Sequence, residues 1–282
     1  YRDSLPFMWD QTVRATNAGM TSTEIAESVD LPETFDGDYL TSELYGVVEH
    51  HVRQIRTGLF GFFDGDEANL FPTPPRERTA KLIAGFGGRE VVRKQVSDAL
   101  AHDDVRWALE LGSWLVRSDG AEDADRALLA KALRMVAQRT SAANIRNWAI
   151  TRARHLDGSF SMDRFMRHGF NPKFISTASV VGLIHTLRVV VDPNKIGGIN
   201  HHIAFVIGDE TAGLHIRNSV AVPTDGWGAT TMVKMPRETL LTLLSERTTW
   251  SKELADGNIV VSGDTGVVDR VRAAFENKGF AA

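Results

Sequence analysis

Cysteine is absent from the 282 residues. Disulfides, thiolate metal ligands and cysteine nucleophiles are excluded, although the redox compartment stays open. No run of about 18 apolar residues exists, which excludes an ordinary transmembrane helix. The chain begins at Tyr1 rather than Met, and no basic segment followed by an apolar stretch opens it, so no targeting signal is read. Charge of one sign is not in excess. Lys+Arg number 32 against 36 Asp+Glu, a net of −4, so no pull toward nucleic acid is expected. What is there is an ordinary globular mixture, 43% hydrophobic and 24% charged. The length suits about two domains.

Metal-ligand spacing is also missing. His50-His51 and His201-His202 are adjacent pairs, and neighbours in sequence point in different directions on a helix or a strand. No H-x-H, H-x-x-x-H or H-E-x-x-H occurs, so no histidine of this chain is expected to ligate a metal. The acidic stretch Phe63-Asp64-Gly65-Asp66-Glu67 lacks the alternation of a calcium loop. Gly85-Phe86-Gly87-Gly88 follows a helical pattern rather than a strand and has no Lys-Ser/Thr after it, so it reads as a helix break. No G-x-S-x-G serine context appears.

The chain divides by pattern into an all-α part, 1–157, and an α+β part, 158–282. The first carries 19 Lys+Arg and 24 Asp+Glu, net −5, and the second 13 and 12, net +1. Helices are expected over 5–18, over a short segment opened by the capping box Thr21-Ser22-Thr23-Glu24, and over 43–62. Pro72-Thr73-Pro74-Pro75 forbids regular hydrogen bonding and reads as an extended strap. Helices then follow over 75–85, 89–101, 104–117, 122–138 and 142–155. Ala108, Leu111 and Leu115 share one face, and Leu128, Leu129, Ala132, Leu133 and Val136 repeat the spacing. These hairpins resemble tetratricopeptide packing over about one and a half repeats.

In the second part, helical segments are expected over 160–168 and 174–185, followed by a short β-branched run over 187–191. Strands are expected over 202–207, 213–222, 229–234 and 258–262. Helices over 236–244 and 265–277 complete an α+β layer whose strands are expected to be antiparallel. On the expected helix 43–62, Tyr45, Glu49, Arg53 and Arg56 share a face. That face could offer a phenol and the forked donors of Arg53 and Arg56 to an anion.

Several ordered motifs resemble the middle of the bacterial alkyl sulfatases of the metallo-β-lactamase superfamily. They are Tyr45-Gly46 with His50, then Gly61-Phe62-Phe63-Asp64-Gly65, then Pro72-Thr73-Pro74-Pro75. Asp10-Gln11-Thr12 and Asn17-x-Gly19-x-Thr21-x-x-Glu24-Ile25 precede them in the family's order. Gly87-Gly88, Arg106-Trp107-Ala108 and Arg146-Asn147-Trp148 follow. Residues 1–156 are thereby similar to the family's dimerisation domain. Asn258-Ile259-x-Val261-x-Gly263-Asp264 is similar to a late strand and turn of the sterol-carrier-protein-like domain that closes these enzymes.

The resemblance implies hydrolysis of alkyl sulfate esters by water activated on two zinc ions. Their H-x-H-x-D-H ligand motif is not in this chain, so the resemblance implies a C-terminal segment whose metal domain lies upstream and which is inactive alone. It implies a homodimer through the helical domain and an apolar groove for the alkyl chain in the terminal one. It implies that Tyr45 contacts the sulfate, and a periplasmic or secreted setting, otherwise a cytoplasmic one. The family's R-G-Y-Y-G stands here as Ser42-Glu43-Leu44-Tyr45-Gly46, so the arginine and first tyrosine are lost. The alternative is a stand-alone dimeric carrier of apolar ligands without catalysis.

Overall fold

The computed structural model describes residues 2–162 and 170–282. They form two compact units that divide between Ser161 and Met162. The first is helical throughout, and the second sets helices against a five-stranded sheet, as the sequence pattern leads one to expect.

The first unit opens with α1 (Ser4–Asn17). Gly19 follows it at φ +84°, in the left-handed region that glycine enters without strain. In α2 (Ser22–Ser28) the expected capping box is present. The Glu24 amide donates to Thr21 Oγ1 at 3.2 Å, and the Thr21 amide donates to Glu24 Oε2 at 2.7 Å. The third helix begins later than expected: α3 is Val48–Phe60. Glu43 does not join it. Its carboxylate accepts the Val48 amide at 2.6 Å and satisfies a donor that the first turn leaves unpaired. Met8, Ile25, Val29 and Val52 enclose the core of these three helices.

Next come α4 (Pro75–Gly85), α5 (Arg89–Ala101), α6 (Val105–Arg117), α7 (Asp123–Arg139) and α8 (Ala143–Leu156). Each packs on the next through a short connection. Asp104 caps α6 by accepting the Trp107 amide. Ala108, Leu111 and Leu115 are all fully buried, which is what their spacing requires. Phe86 meets the edge of Trp114 at 5.1 Å, and Trp107 meets it at 5.8 Å.

A buried ion cluster ties α5 to α7. Asp125 is fully buried, and its carboxylate accepts from Arg89 at 2.6 Å, from Arg93 Nε at 2.6 Å and from the Glu122 amide at 2.8 Å. Arg89 also donates to Ser118 Oγ and to the Asp119 carbonyl in the α6–α7 turn.

The second unit contains α9 (Pro172–Thr177), α10 (Val180–Thr186), β1 (His201–Ile207), β2 (Glu210–Arg217), β3 (Val220–Thr224), β4 (Thr231–Met235) and β5 (Val260–Ser262). It also contains α11 (Arg237–Leu244), α12 (Trp250–Ala255), α13 (Thr265–Arg272) and α14 (Lys278–Ala281). The strand order is β3-β2-β1-β4-β5. β1 and β4 run parallel while the other pairs are antiparallel, so the sheet is mixed rather than antiparallel throughout.

One face is packed: Ile203, Phe205 and Ile207 alternate inward beside Leu214, Ile216, Val233 and Met235. The opposite face carries His202, Ala204, Val206, Gly213, His215 and Met232.

Three further expected elements change, and one helix is additional. The strand over 213–222 is a hairpin that turns at Asn218 and Ser219, with φ +50° and +61°. A two-residue turn of that kind needs two left-handed residues, and Asn-Ser supplies them without the usual glycine. The run at 187–191 forms a 3-10 turn, Leu187–Val189, and a single bridge from Val191 to Phe275. The last helix stops at Arg272 because Phe275 pairs in that bridge, and α14 follows separately. The segment Trp250–Ala255 is a helix that no expectation covered. The helix expected over 160–168 falls largely outside the described residues.

Candidate functional site

Tyr45 lies on the irregular stretch before α3, not on the helix, so the expected shared face of Tyr45, Glu49, Arg53 and Arg56 does not exist as one surface. Its loop is nevertheless fixed. Ser141 Oγ donates to the Glu43 carbonyl at 2.8 Å, the Ala143 amide to the Leu44 carbonyl at 2.7 Å, and the Asn144 amide to the Tyr45 carbonyl at 3.4 Å. These bonds clip the loop to the start of α8 across some 98 residues of chain. The Tyr45 side chain is 73% exposed. Its hydroxyl is not among the hydrogen-bonding groups of the described residues, so a donor is presented outward on a held backbone. Next to it, a Cβ on Gly46 would sit 2.9 Å from the ring of exposed His51, which a turn of that side chain would relieve. Gly46 and His51 border a cleft of about 440 Å³ between α1 and α3, walled by Leu5, Met8, Trp9, Leu40 and Ile55.

The two arginines are engaged elsewhere. Arg53 donates to Glu49 at 3.4 Å and to Thr23 Oγ1 at 3.2 Å. Arg56 is buried, donates to the Phe63 carbonyl at 2.8 Å and lies over the Phe60 ring at 5.6 Å. It therefore anchors the Phe63-Asp64-Gly65 turn. In that turn the Asp66 amide, then Asn69 and the Arg56 charge, hold the Asp64 carboxyl below its ordinary pKa.

Glu49 makes its strongest pair with Arg106 of α6, at 2.7 and 3.2 Å, and that bond holds its carboxyl below the ordinary range. Glu49, His50, Asp103, Arg106 and Arg139 line a second, more polar cleft of about 640 Å³. The sequence carries no spacing signal for this cleft, because Glu49 and Arg106 stand 57 positions apart.

In the second unit, Gly208, Lys234, Met235, Pro236 and Val260 border a shallow cleft of about 420 Å³. Among the described residues, no three His, Cys, Asp or Glu side chains gather in a way that could hold a metal ion. The residues present do not fit a dinuclear zinc centre. No helix among them is long and apolar enough to cross a membrane.

Residues 21–159 match the family model for alkyl sulfatase dimerisation, and residues 169–280 match that for the alkyl sulfatase C-terminal domain. A linear primary-alkylsulfatase of a Pseudomonas species is 32% identical over 276 residues, which cover 93% of this chain and 52% of that protein. An alkyl/aryl-sulfatase of Saccharomyces cerevisiae is 25% identical over 98% of this chain and 43% of its own length. The solved structure of the stereoselective inverting sec-alkylsulfatase Pisa1 from Pseudomonas superposes with a TM-score of 0.83 at 26% identity. The match covers 97% of this chain and 44% of that one. The chain thus spans about half the length of the curated relatives it matches. With both domain models matched in order and the fold shared with a solved alkylsulfatase, the chain belongs to the alkyl sulfatase family, of which it carries the dimerisation and C-terminal domains.

Proposed function

We propose that this chain serves a zinc-dependent alkyl sulfatase of the metallo-β-lactamase superfamily as its non-metal half. Residues 1–157 act as the dimerisation domain and lend Tyr45 to the sulfate-binding pocket, and residues 158–282 receive the alkyl chain. The observation that supports the reading is Tyr45 itself: an exposed phenol on a backbone clipped to α8. A phenol carried outward on a held backbone and paired with nothing in its own unit suits a surface that packs against it. The metal supplies activated water when bound in a domain outside these residues. What this chain supplies is a hydrogen bond, an assembly surface and apolar contact.

Assembly falls to the exposed aromatic side chains at the end of α3 and on the strap. Phe60, Phe62 and Phe71 are 54%, 84% and 97% exposed, and apolar exposure of that degree suits an interface with a second copy. In the second unit, Lys234 beside Met235, Pro236 and Val260 suits an anionic amphiphile, with about 0.8 kcal/mol gained per buried CH₂.

Sedimentation of this chain is expected to give a dimer that F62S/F71S dissociates, and dodecyl sulfate is expected to release no sulfate with or without zinc. A monomeric wild type refutes the assembly role. Zinc-dependent turnover by this chain refutes its assignment as the non-metal half.

A further inference from the structure

Charge in the helical unit is sorted along the chain. From residue 15 to residue 52 there are eight Asp and Glu and no Lys or Arg. From residue 126 to residue 156 there are seven Lys and Arg and no Asp or Glu. The two stretches do not pair with each other. Among the described residues, the ion pairs of the acidic stretch are those of Glu49 with Arg53 and Arg106. Those of the basic stretch join Arg126, Arg134 and Arg139 to Asp123, Asp157 and Asp103. Asp30, Asp36 and Glu43 on one side, and Arg146 and Arg152 on the other, have no ion pair among the described residues.

Each set of charges rims exposed apolar surface. Leu5, Trp9 and Leu40 are exposed in the walls of the cleft of about 440 Å³ between α1 and α3. A neighbouring cleft of about 410 Å³ shares Leu31, Ser42 and Glu43 with it and adds Asp30 and Asp36. No Lys or Arg lines either cleft. On α8 the sign is reversed. This helix buries Ala149, Ala153 and Leu156 and leaves Ile150 and Trp148 exposed, the latter at 72%. Arg152 stands one turn after Trp148 and Arg146 one turn before Ile150, so each apolar side chain has a guanidinium on its own face. Exposed Trp flanked by Arg is the composition that anchors protein interfaces.

We propose that the outer face of α8 in one protomer seats in the α1–α3 cleft of a second copy, and reciprocally. Trp148 enters the apolar part of the cleft, and Arg146 and Arg152 face Asp30, Asp36 and Glu43. The inference rests on the dimer proposed above and adds, beside the aromatic contact, the faces that set its register. Two observations select a second copy as the occupant. The acidic and basic side chains of both stretches fall within residues 21–159, the match to the dimerisation model. Faces of opposite sign on one unit are also mutually complementary, so a twofold axis makes the same contact twice. Pairing α8 with α8, or cleft with cleft, would set like charges together. Tyr45 lines neither cleft, so the contact does not consume its phenol.

The test is charge reversal in the full chain, read by sedimentation equilibrium. R146E/R152E reverses one face and D30K/D36K the other. Each alone is expected to weaken the dimer about tenfold or more. Their equimolar mixture is expected to recover a heterodimer of near wild-type affinity, because both contacts then pair opposite signs. The wild-type dimer is also expected to weaken as salt rises from about 0.05 to 0.5 M, and R146Q/R152Q to respond far less. Reversal without effect, or a mixture that stays monomeric, overturns the inference. Should a reversed chain misfold by circular dichroism, the salt series decides, and equal salt dependence of wild type and R146Q/R152Q overturns it. A dimer that F62S/F71S dissociates but charge reversal does not touch refutes these faces and leaves the dimer standing, whereas a monomeric wild type refutes the dimer itself. A dimer indifferent to reversal, with binding to phosphatidylglycerol vesicles that R146E/R152E abolishes, assigns the α8 face to a lipid surface and equally overturns the inference.

Discussion

Replacing Asp125 by alanine tests how the helical unit is held. Its carboxylate is fully buried and meets two guanidinium groups and an amide, while Arg89 and Arg93 have side chains only 20% and 15% exposed. Removing the anion leaves Arg89 without a carboxylate and Arg93 with only the exposed Glu90 and Glu122, two largely desolvated cations side by side, a situation that costs about 3–5 kcal/mol in comparable buried pairs. In a unit of about 160 residues each kcal/mol moves the melting temperature by roughly 2–4 °C, so D125A is expected to lower it by roughly 6–20 °C. Circular dichroism melts and urea titrations at neutral pH read this directly.

An internal control exists. R89M/R93M/D125L removes the three most buried charges at once, leaving only the exposed Arg93 partners Glu90 and Glu122 to solvent, and should lose far less than D125A, because the penalty lies in unpaired buried charge rather than in the lost bonds. The sign of the acid response also follows. Burial would raise the Asp125 pKa, but the hydrogen bond from Arg93, the Glu122 amide and both guanidinium charges outweigh it and hold the value below the ordinary one. The cluster is therefore at full strength above a pH of about 4 and weakens as pH falls below it. D125A should flatten that acid limb. A loss under about 1 kcal/mol, or an unchanged acid limb, would show that water screens the cluster and refute the reasoning.

Two further substitutions separate local from tertiary effects. T21A removes the hydroxyl arm of the α2 capping box and is expected to cost about 1 kcal/mol, seen as faster amide exchange at Glu24 before any global loss. G279A places a Cβ 2.0 Å from the Leu243 carbonyl oxygen, so α14 must shift and draw buried Phe280 away from Trp250 and Phe275. About 1–3 kcal/mol of destabilisation in urea is expected, and a neutral result would mean that α14 docks more loosely than its burial implies.

The helices from α4 to α8 were legible in the sequence because each carries its own punctuation. Pro75 opens one, Gly87-Gly88 separate the next pair, and Asp104 caps α6. The capping box at Thr21 was legible for the same reason. Legibility failed where a tertiary partner decided the outcome. Glu43 has helical propensity, yet its carboxylate closes the N-terminus of α3, and the 43–45 backbone bonds to residues 141–144 instead. A β-branched run at 187–191 looks like a strand but lacks a neighbour beyond one bridge to Phe275. The parallel β1–β4 pairing rests on a crossover, which local pattern does not encode. The motif string around Tyr45 located the residue in sequence, but a 3.6-residue periodicity started too early put it on the wrong element.

That correction changes which chemistry this unit can lend. On a common helix face, Arg53 and Arg56 would have been the natural anion ligands. In the fold, Arg53 would have to leave Glu49 and Thr23, and Arg56 would have to abandon the Phe63 carbonyl and the Phe60 ring that fix the turn at 63–65. Moving a buried guanidinium out of such contacts costs more than a solvent-facing sulfate returns, since an exposed ion pair is worth at most about 1 kcal/mol. The phenol of Tyr45 carries no such debt. A neutral donor to a charged acceptor contributes about 1.5–3 kcal/mol, and its backbone is already held by Ala143 and Asn144. On the proposed reading, the helical unit therefore aids the sulfate by a preorganised hydrogen bond and not by charge, and the loss of the family's arginine before Tyr45 is consistent with the internal pairing of the arginines that remain.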